Sequence, residues 1–335
     1  MQRCVFGTPR HTPWVALAPM ADATDPAFRR LVASYAPPTL MWTEFISADG
    51  LWHLMERERR RSIADNPLLA DLQYSEEERP IVAQLFGANP TTIRYAARVA
   101  ADLGFDGVDI NMGCPDRAVL RQGAGAALIR KPGLARELVE AAREGSGLPV
   151  SVKTRLGVSR DILEEWLPHL LGSGAWMVTL HARTARELSR VPARWERVRD
   201  AARLRDQLAP SVAVVGNGDI TSLQEAQERA QEAGADGAMV GRAALGAPWF
   251  FSGERAISLA KRMEALARYC ELFCRFVPHK PFSKAQRMFK AFLRGVPHSK
   301  DLLLRLLAAA SAQEAATLAR RAARESCGAV EDVGQ

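Results

Sequence analysis

Eight short, nearly continuous apolar runs punctuate the first 250 residues of this chain, and a helix-like segment follows each of them. The runs fall at residues 15–19, 40–44, 81–86, 107–111, 150–154, 177–181, 212–216 and 237–241. Strands that are apolar on both faces belong to parallel sheets covered by helices. The intervening segments 91–103, 134–144, 160–171 and 222–233 carry apolar residues at three and four spacing, and Thr221 or Ser222 fits an N-cap. Leu103-Gly104-Phe105-Asp106-Gly107 and Ala233-Gly234-Ala235-Asp236-Gly237 repeat one pattern, a helix ending at glycine before the next strand. Eight such units over about 250 residues predict an α/β fold, a (β/α)8 TIM barrel, in preference to an open doubly wound sheet with fewer strands. After Pro248-Trp249-Phe250 the alternation stops. Helices are expected at 258–275, 283–294 and 299–324, punctuated by Pro278, Pro281 and Pro297. The domain division expected is therefore 1–250 for the barrel and 251–335 for a smaller C-terminal helical domain. The charged stretch 55–79 reads as a surface insertion.

Composition excludes several classes. No apolar run reaches the roughly 18 residues of a membrane helix, and the early run Trp14 to Met20 is broken by Pro19 and followed by acids, unlike a signal peptide. A cytoplasmic location is expected, with no membrane and no metal. The five cysteines, Cys4, Cys114, Cys270, Cys274 and Cys327, are scattered without a CxxC, so neither a disulfide framework nor a zinc site is expected. Most read as core thiols. The net charge of +7 is uneven. Residues 251–335 hold 15 Lys and Arg against 8 Asp and Glu, and the other 250 residues hold 30 of each. That asymmetry calls for an acidic partner at the tail.

In a barrel, function gathers where strands end. Those ends carry Met20, Glu44, Gln84, Asn111, Lys153 with Arg155, His181 with Arg183, Asn217 and Arg242. Gly216-Asn217-Gly218-Asp219-Ile220 and Gly241-Arg242 end two consecutive strands, where glycine lets backbone N–H groups approach a phosphate and Arg242 adds a cation. Lys153 suits a negative ring edge or a ribityl chain, and Gln84 and His181 suit the polar edge of an isoalloxazine. Asn111-Met112-Gly113-Cys114-Pro115 puts a thiol on the same face. A thiol with an ordinary pKa of about 8.5 is mostly protonated at neutral pH and can donate a proton, so three readings of Cys114 compete: a general acid, a nucleophile and a buried structural cysteine. In the tail, Leu272 to Lys300 contains no acid and seven bases. Lys284, Arg287, Lys290 and Arg294 share one helical face; Ala285, Met288, Phe289 and Phe292 share another. A solvated or membrane-surface face is the alternative to a nucleic-acid contact, which the acid-free stretch favours.

Taken together these motifs resemble the tRNA-dihydrouridine synthases, a flavin-dependent family. The resemblance runs through Ala18-Pro19-Met20-Ala21-Asp22-Ala23-Thr24-Asp25, Gln84-Leu85-Phe86-Gly87, Asp109 to Pro115, Val152-Lys153-Thr154-Arg155-Leu156-Gly157, His181-Ala182-Arg183-Thr184, Gly216 to Ile220 and Met239-Val240-Gly241-Arg242, in family order over about residues 14–250. It implies an FMN-bound barrel that reduces the C5–C6 double bond of uridine in tRNA, with NADPH or NADH as reductant. It gives FMN-binding roles to Ala18, Pro19, Met20, Gln84, Lys153, His181, Asn217, Gly218, Asp219, Gly241 and Arg242. Asn111 and Arg155 would face the uracil, Cys114 would protonate C5, and Lys284, Arg287, Lys290 and Arg294 would contact tRNA. A monomer is expected. There is one departure: after Thr184 the family continues with Gln, Tyr or Lys, and Gly, whereas this chain has Ala185-Arg186-Glu187-Leu188-Ser189-Arg190-Val191-Pro192-Ala193-Arg194 before Trp195. A dihydroorotate- or enoate-type flavoenzyme acting on a small molecule would share the barrel without needing a basic tail. A non-catalytic RNA-binding barrel could dispense with Cys114 and Lys153.

Overall fold

The computed structural model describes residues 13–331, and side chains through residue 326. Among the described residues nine strands form one parallel sheet: β1 (Trp14–Leu17), β2 (Met41–Trp42), β3 (Ile46–Ser47), β4 (Ile81–Phe86), β5 (Gly107–Met112), β6 (Val150–Arg155), β7 (Met177–His181), β8 (Ala213–Asn217) and β9 (Gly237–Val240). Pairing runs β1-β9-β8-β7-β6-β5-β4-β2. A bridge between Ala16 and Leu40 brings the two ends together, with Leu17 N donating to Leu40 O at 3.2 Å. The sheet thus closes into the expected eight-position barrel.

Two strands share the second position. The expected strand at 40–44 stops at Trp42, and β3 resumes pairing with β4 at Ile46–Leu85. The break turns Glu44 out of the ladder, so that its carboxylate accepts from Ala23 N at 3.1 Å and from Lys280 Nζ at 2.6 Å. Gly234 caps its helix in the left-handed conformation, and Ser222 is the N-cap at the other end of that helix. The insertion 55–79 is only partly a surface feature. Its exposed first half is charged, but Leu69, Ala70 and Leu72 are buried, and Glu78 forms a fully buried ion pair with Arg29 at 2.7 Å.

Past β9 the described chain is helical: Leu259–Phe276, Ser283–Phe292, Lys300–Ala308 and Ala312–Glu331. The expected single helix at 299–324 is two, because Ser311 Oγ accepts from Glu314 N while Glu314 accepts from Ala310 N, a reciprocal cap that starts a new helix. The tail is no free appendage. Met263, Tyr269, Cys270, Met288 and Phe289 join Phe28, Leu31 and Val240 in one hydrophobic cluster. Tyr269 Oη donates to the buried Asp25 carboxylate at 3.1 Å. Gly246, at φ +67°, lies so near the Ala291–Phe292 backbone that any Cβ would collide with it. Cys270 is buried and Cys274 half-buried, as core thiols should be. Cys4 and the side chain of Cys327 lie outside the described residues.

Candidate active site

A cavity of about 1050 Å³ opens at the C-terminal ends of the strands. That is the upper end of the usual range for a small-molecule site. Its wall collects residues from separate strand ends: Ala18, Pro19 and Met20 after β1; Asn111, Gly113 and Cys114 at β5; Lys153 and Arg155 on β6; His181 and Arg183 at β7; Asn217, Gly218 and Asp219 at β8; Gly241 and Arg242 after β9. Arg294 reaches it from the tail.

Beneath the wall a chain of hydrogen bonds crosses three neighbouring strands. Ser151 Oγ and Gln84 Nε2 both donate to the fully buried Asp109 carboxylate, which burial pushes up to about 6. Asn111 Nδ2 donates to Gln84 Oε1 at 3.0 Å. Asn111 Oδ1 accepts from Gly113 N at 3.1 Å and Cys114 N at 2.9 Å. Gln84 therefore does not reach the cavity wall as expected, being fully buried with its amide committed to Asp109 and Asn111. Asn111 spends its oxygen and one N–H on the same chain. Both residues aim the Cys114 loop from below. Gly125, at φ +60°, passes so close that a Cβ there would sit 2.7 Å from Cys114 O.

The Cys114 thiol lines the cavity, and burial raises its pKa. It is therefore protonated at neutral pH, the state a proton donor requires. Arg155 is mainly a clamp. Its Nε donates to Gly113 O at 2.8 Å, and Nη1 donates to Thr184 O at 3.2 Å and Leu188 O at 3.4 Å. It ties the thiol loop to the loop after β7 and lines the cavity.

The wall from β6 round to β9 is cationic. Lys153 Nζ donates to Asn217 Oδ1 at 3.0 Å, and burial, with Arg155 nearby, pulls its ammonium down to about 8. His181 is held well below its ordinary pKa by burial and then by Arg155, Lys153, Arg183 and Arg242. It is neutral, and its Nε2 faces the Arg183 guanidinium at 3.2 Å. A guanidinium only donates, so Nε2 accepts and the ring proton sits on Nδ1.

Arg183, quoted from the sequence but given no role, is the hub of this side. It also donates to Val191 O at 2.6 Å and forms an ion pair with Asp219. Asp219 meets Arg242 as well, at 3.0 Å, so its carboxylate orients the two arginines and is not itself an anion site. Gly218 takes φ +133°, where a Cβ would stand 2.7 Å from Ala193 Cβ. The Trp195 indole N–H fixes this turn by donating to Gly218 O at 2.9 Å. Arg242 is 62% exposed while it holds its ion pair with Asp219.

The tail cations divide. Lys284 and Arg287 both pair with Asp22, at 2.6 and 2.9 Å, so two of the four cations of the expected basic face share one carboxylate of the barrel. Lys290 and Arg294 are exposed with no carboxylate partner among the described residues. No group of metal-ligating side chains occurs among the described residues, and no described helix is long and apolar enough to cross a membrane.

A family model described as dihydrouridine synthase (Dus) matches residues 16–327. The chain is 37% identical over 294 residues to a probable tRNA-dihydrouridine synthase 2 of Bacillus subtilis (strain 168), covering 87% of this chain and 88% of that one. It is 36% identical over 310 residues to a probable tRNA-dihydrouridine synthase of Staphylococcus aureus (strain COL), covering 91% and 92%. Among solved structures it is similar in fold to histamine dehydrogenase from Rhizobium sp. 4-9, with a TM-score of 0.51 at 14% identity over 81% of this chain and 51% of that one. It is likewise similar to morphinone reductase, with a TM-score of 0.50 at 14% identity over 71% and 84%.

Proposed function

We propose, for a chain that belongs to the dihydrouridine synthase family, that it reduces the C5–C6 double bond of uridine in tRNA, with FMN as cofactor and NADPH or NADH as reductant. The reading brings with it a cytoplasmic location, where tRNA is found. Residues 1–250 act as the catalytic barrel and residues 251–335 as the tRNA-facing helical part.

The cavity fits FMN in shape and charge. Lys153, Arg155, Arg183 and Arg242 line it against the one carboxylate of Asp219. At Gly241 a Cβ would stand 3.3 Å from Met20 Sδ and narrow the cavity there. The backbone at Gly218 and Gly241, with Arg242, would hold the phosphate. Ala18, Pro19, Met20, Lys153, His181 and Asn217 would hold the rest, with Gln84 and Asp219 acting from behind. FMN held there would supply the hydride that C6 of the uracil takes up. The chain supplies the matching proton: the Cys114 S–H bond breaks and a C–H bond forms at C5, so one hydride and one proton add across the double bond. Asn111 and Arg155 fix the loop that carries that thiol, and their remaining N–H groups face the base. A stacked uridine must first leave its helix to enter the barrel mouth.

One observation carries this reading: a protonated cysteine shares a single cavity with a cationic wall suited to a phosphorylated cofactor. The test is to release the bound chromophore by heat and weigh it, then to incubate the purified protein with NADPH and tRNA lacking dihydrouridine. FMN and a gain of two hydrogens at a uridine are expected. A protein that cannot bind FMN, or that binds it and leaves tRNA unchanged, would overturn the proposal.

A further inference from the structure

The loop after β7 stands at the cavity mouth. Leu188 and Ser189 line the cavity, and Arg186, Leu188, Ser189, Arg190, Val191 and Pro192 are exposed. The loop is anchored at both ends. Ala185 N and Arg186 N donate to Gly157 O and Val158 O, each at 2.9 Å. Glu187 accepts from Thr184 N and Arg194 Nη2 at 2.6 and 2.8 Å, and Ala193 N donates to Asp219 at 2.9 Å. Leu188 sits at φ +55°, a conformation that leucine rarely adopts. A strained residue held by its surroundings beside a cavity is a pointer to function.

Charge identifies the occupant. Residues 182–194 contain four arginines and one acid. Arg183 is matched by Asp219 and Arg194 by Glu187. Arg186 and Arg190 have no carboxylate partner among the described residues. Between and beside them Leu188 is 38% exposed and Val191 37% exposed. Two unmatched cations flanking two apolar side chains suit a strand with phosphates outside and a base face inside.

We infer that this loop is a nucleotide-reading element: Arg186 and Arg190 hold phosphates flanking the target uridine, and Leu188 packs against the neighbouring base. The inference rests on the tRNA reading and gives the substrate a second basic element besides Arg294, which also lines the cavity.

The test uses the flavin-loaded protein and tRNA. Arg186→Gln with Arg190→Gln should raise KM for tRNA and flatten the slope of log affinity against log salt by roughly 1.4 to 1.8, at about 0.7 to 0.9 for each lost phosphate contact. Flavin content and NADPH consumption by the flavin should stay at the wild-type level. Leu188→Gly removes the side chain and relieves the backbone, so thermal stability should hold or rise while kcat/KM on tRNA falls roughly ten-fold. Wild-type KM and salt slope in the arginine variant, or undiminished kcat/KM in folded Leu188→Gly, would overturn the inference. Failure of the wild-type protein to reduce tRNA would instead overturn the reading beneath it.

Discussion

The tail offers two pairs of cations on nearly the same face, and their surroundings predict different phenotypes. Lys290 and Arg294 are exposed and unmatched, whereas Lys284 and Arg287 share Asp22. A cation already paired with a carboxylate must give up that pair to neutralise a phosphate, so it displaces fewer of the counterions condensed on RNA and contributes less to the salt dependence of binding. Lys290→Gln with Arg294→Gln should flatten the slope of log affinity against log salt by up to roughly 1.4 to 1.8 and leave thermal stability unchanged. Lys284→Gln with Arg287→Gln should flatten it by less than about 0.7, under one full contact. That second pair carries its cost in the fold. Each bond to Asp22 is about one-third to three-fifths exposed, so each contributes at most about 1 kcal/mol. The loss should shrink at about 1 M salt, where the screening length is about 3 Å. The assays are filter binding of tRNA across a salt series and urea denaturation at low and high salt. Equal flattening by the two pairs would refute the reasoning, since it would mean that Asp22 yields both cations to RNA.

Other outcomes follow from single groups. Cys114→Ala should keep flavin content and NADPH oxidation near normal and lower reduction of tRNA uridine by at least ~100-fold; wild-type turnover would make the thiol structural. Gly246→Ala should destabilise the protein by about 2 kcal/mol or more, because a positive φ and a backbone collision act together there, and a thermal melt would show it. Lys153, pulled down to about 8 in the fold, releases a proton that the unfolded chain retains up to its ordinary 10.5. The unfolded state then binds more protons, so this group makes stability rise between pH 8 and 10.5; Lys153→Met should remove that rise in denaturation curves of flavin-free protein.

How much of this was legible in the sequence depends on what each feature requires. The strands at 81–86 and 177–181 coincide with β4 and β7, because a strand buried on both faces is apolar along most of its length and its ends are abrupt. The cavity wall was legible for a related reason. Lys153 and Arg155 alternate on β6, and Asp109 and Asn111 on β5, so each pair must share one face and end at one rim. The same alternation put Ser151 in line with Lys153, but which strand it would bond lies outside periodicity. The buried chain from Ser151 through Asp109 and Gln84 to the Cys114 loop therefore went unread. The tail illustrates the general point. Seven bases without an acid from Leu272 to Lys300 read as one exposed charge. Yet Lys280 meets Glu44 and Asp71, and Lys284 and Arg287 meet Asp22, across more than 200 residues of chain. Absence of acids within a segment says nothing of acids that face it, and among the described residues Arg275, Lys290, Arg294 and Lys300 are the bases of that stretch left without a carboxylate and with charge to offer RNA.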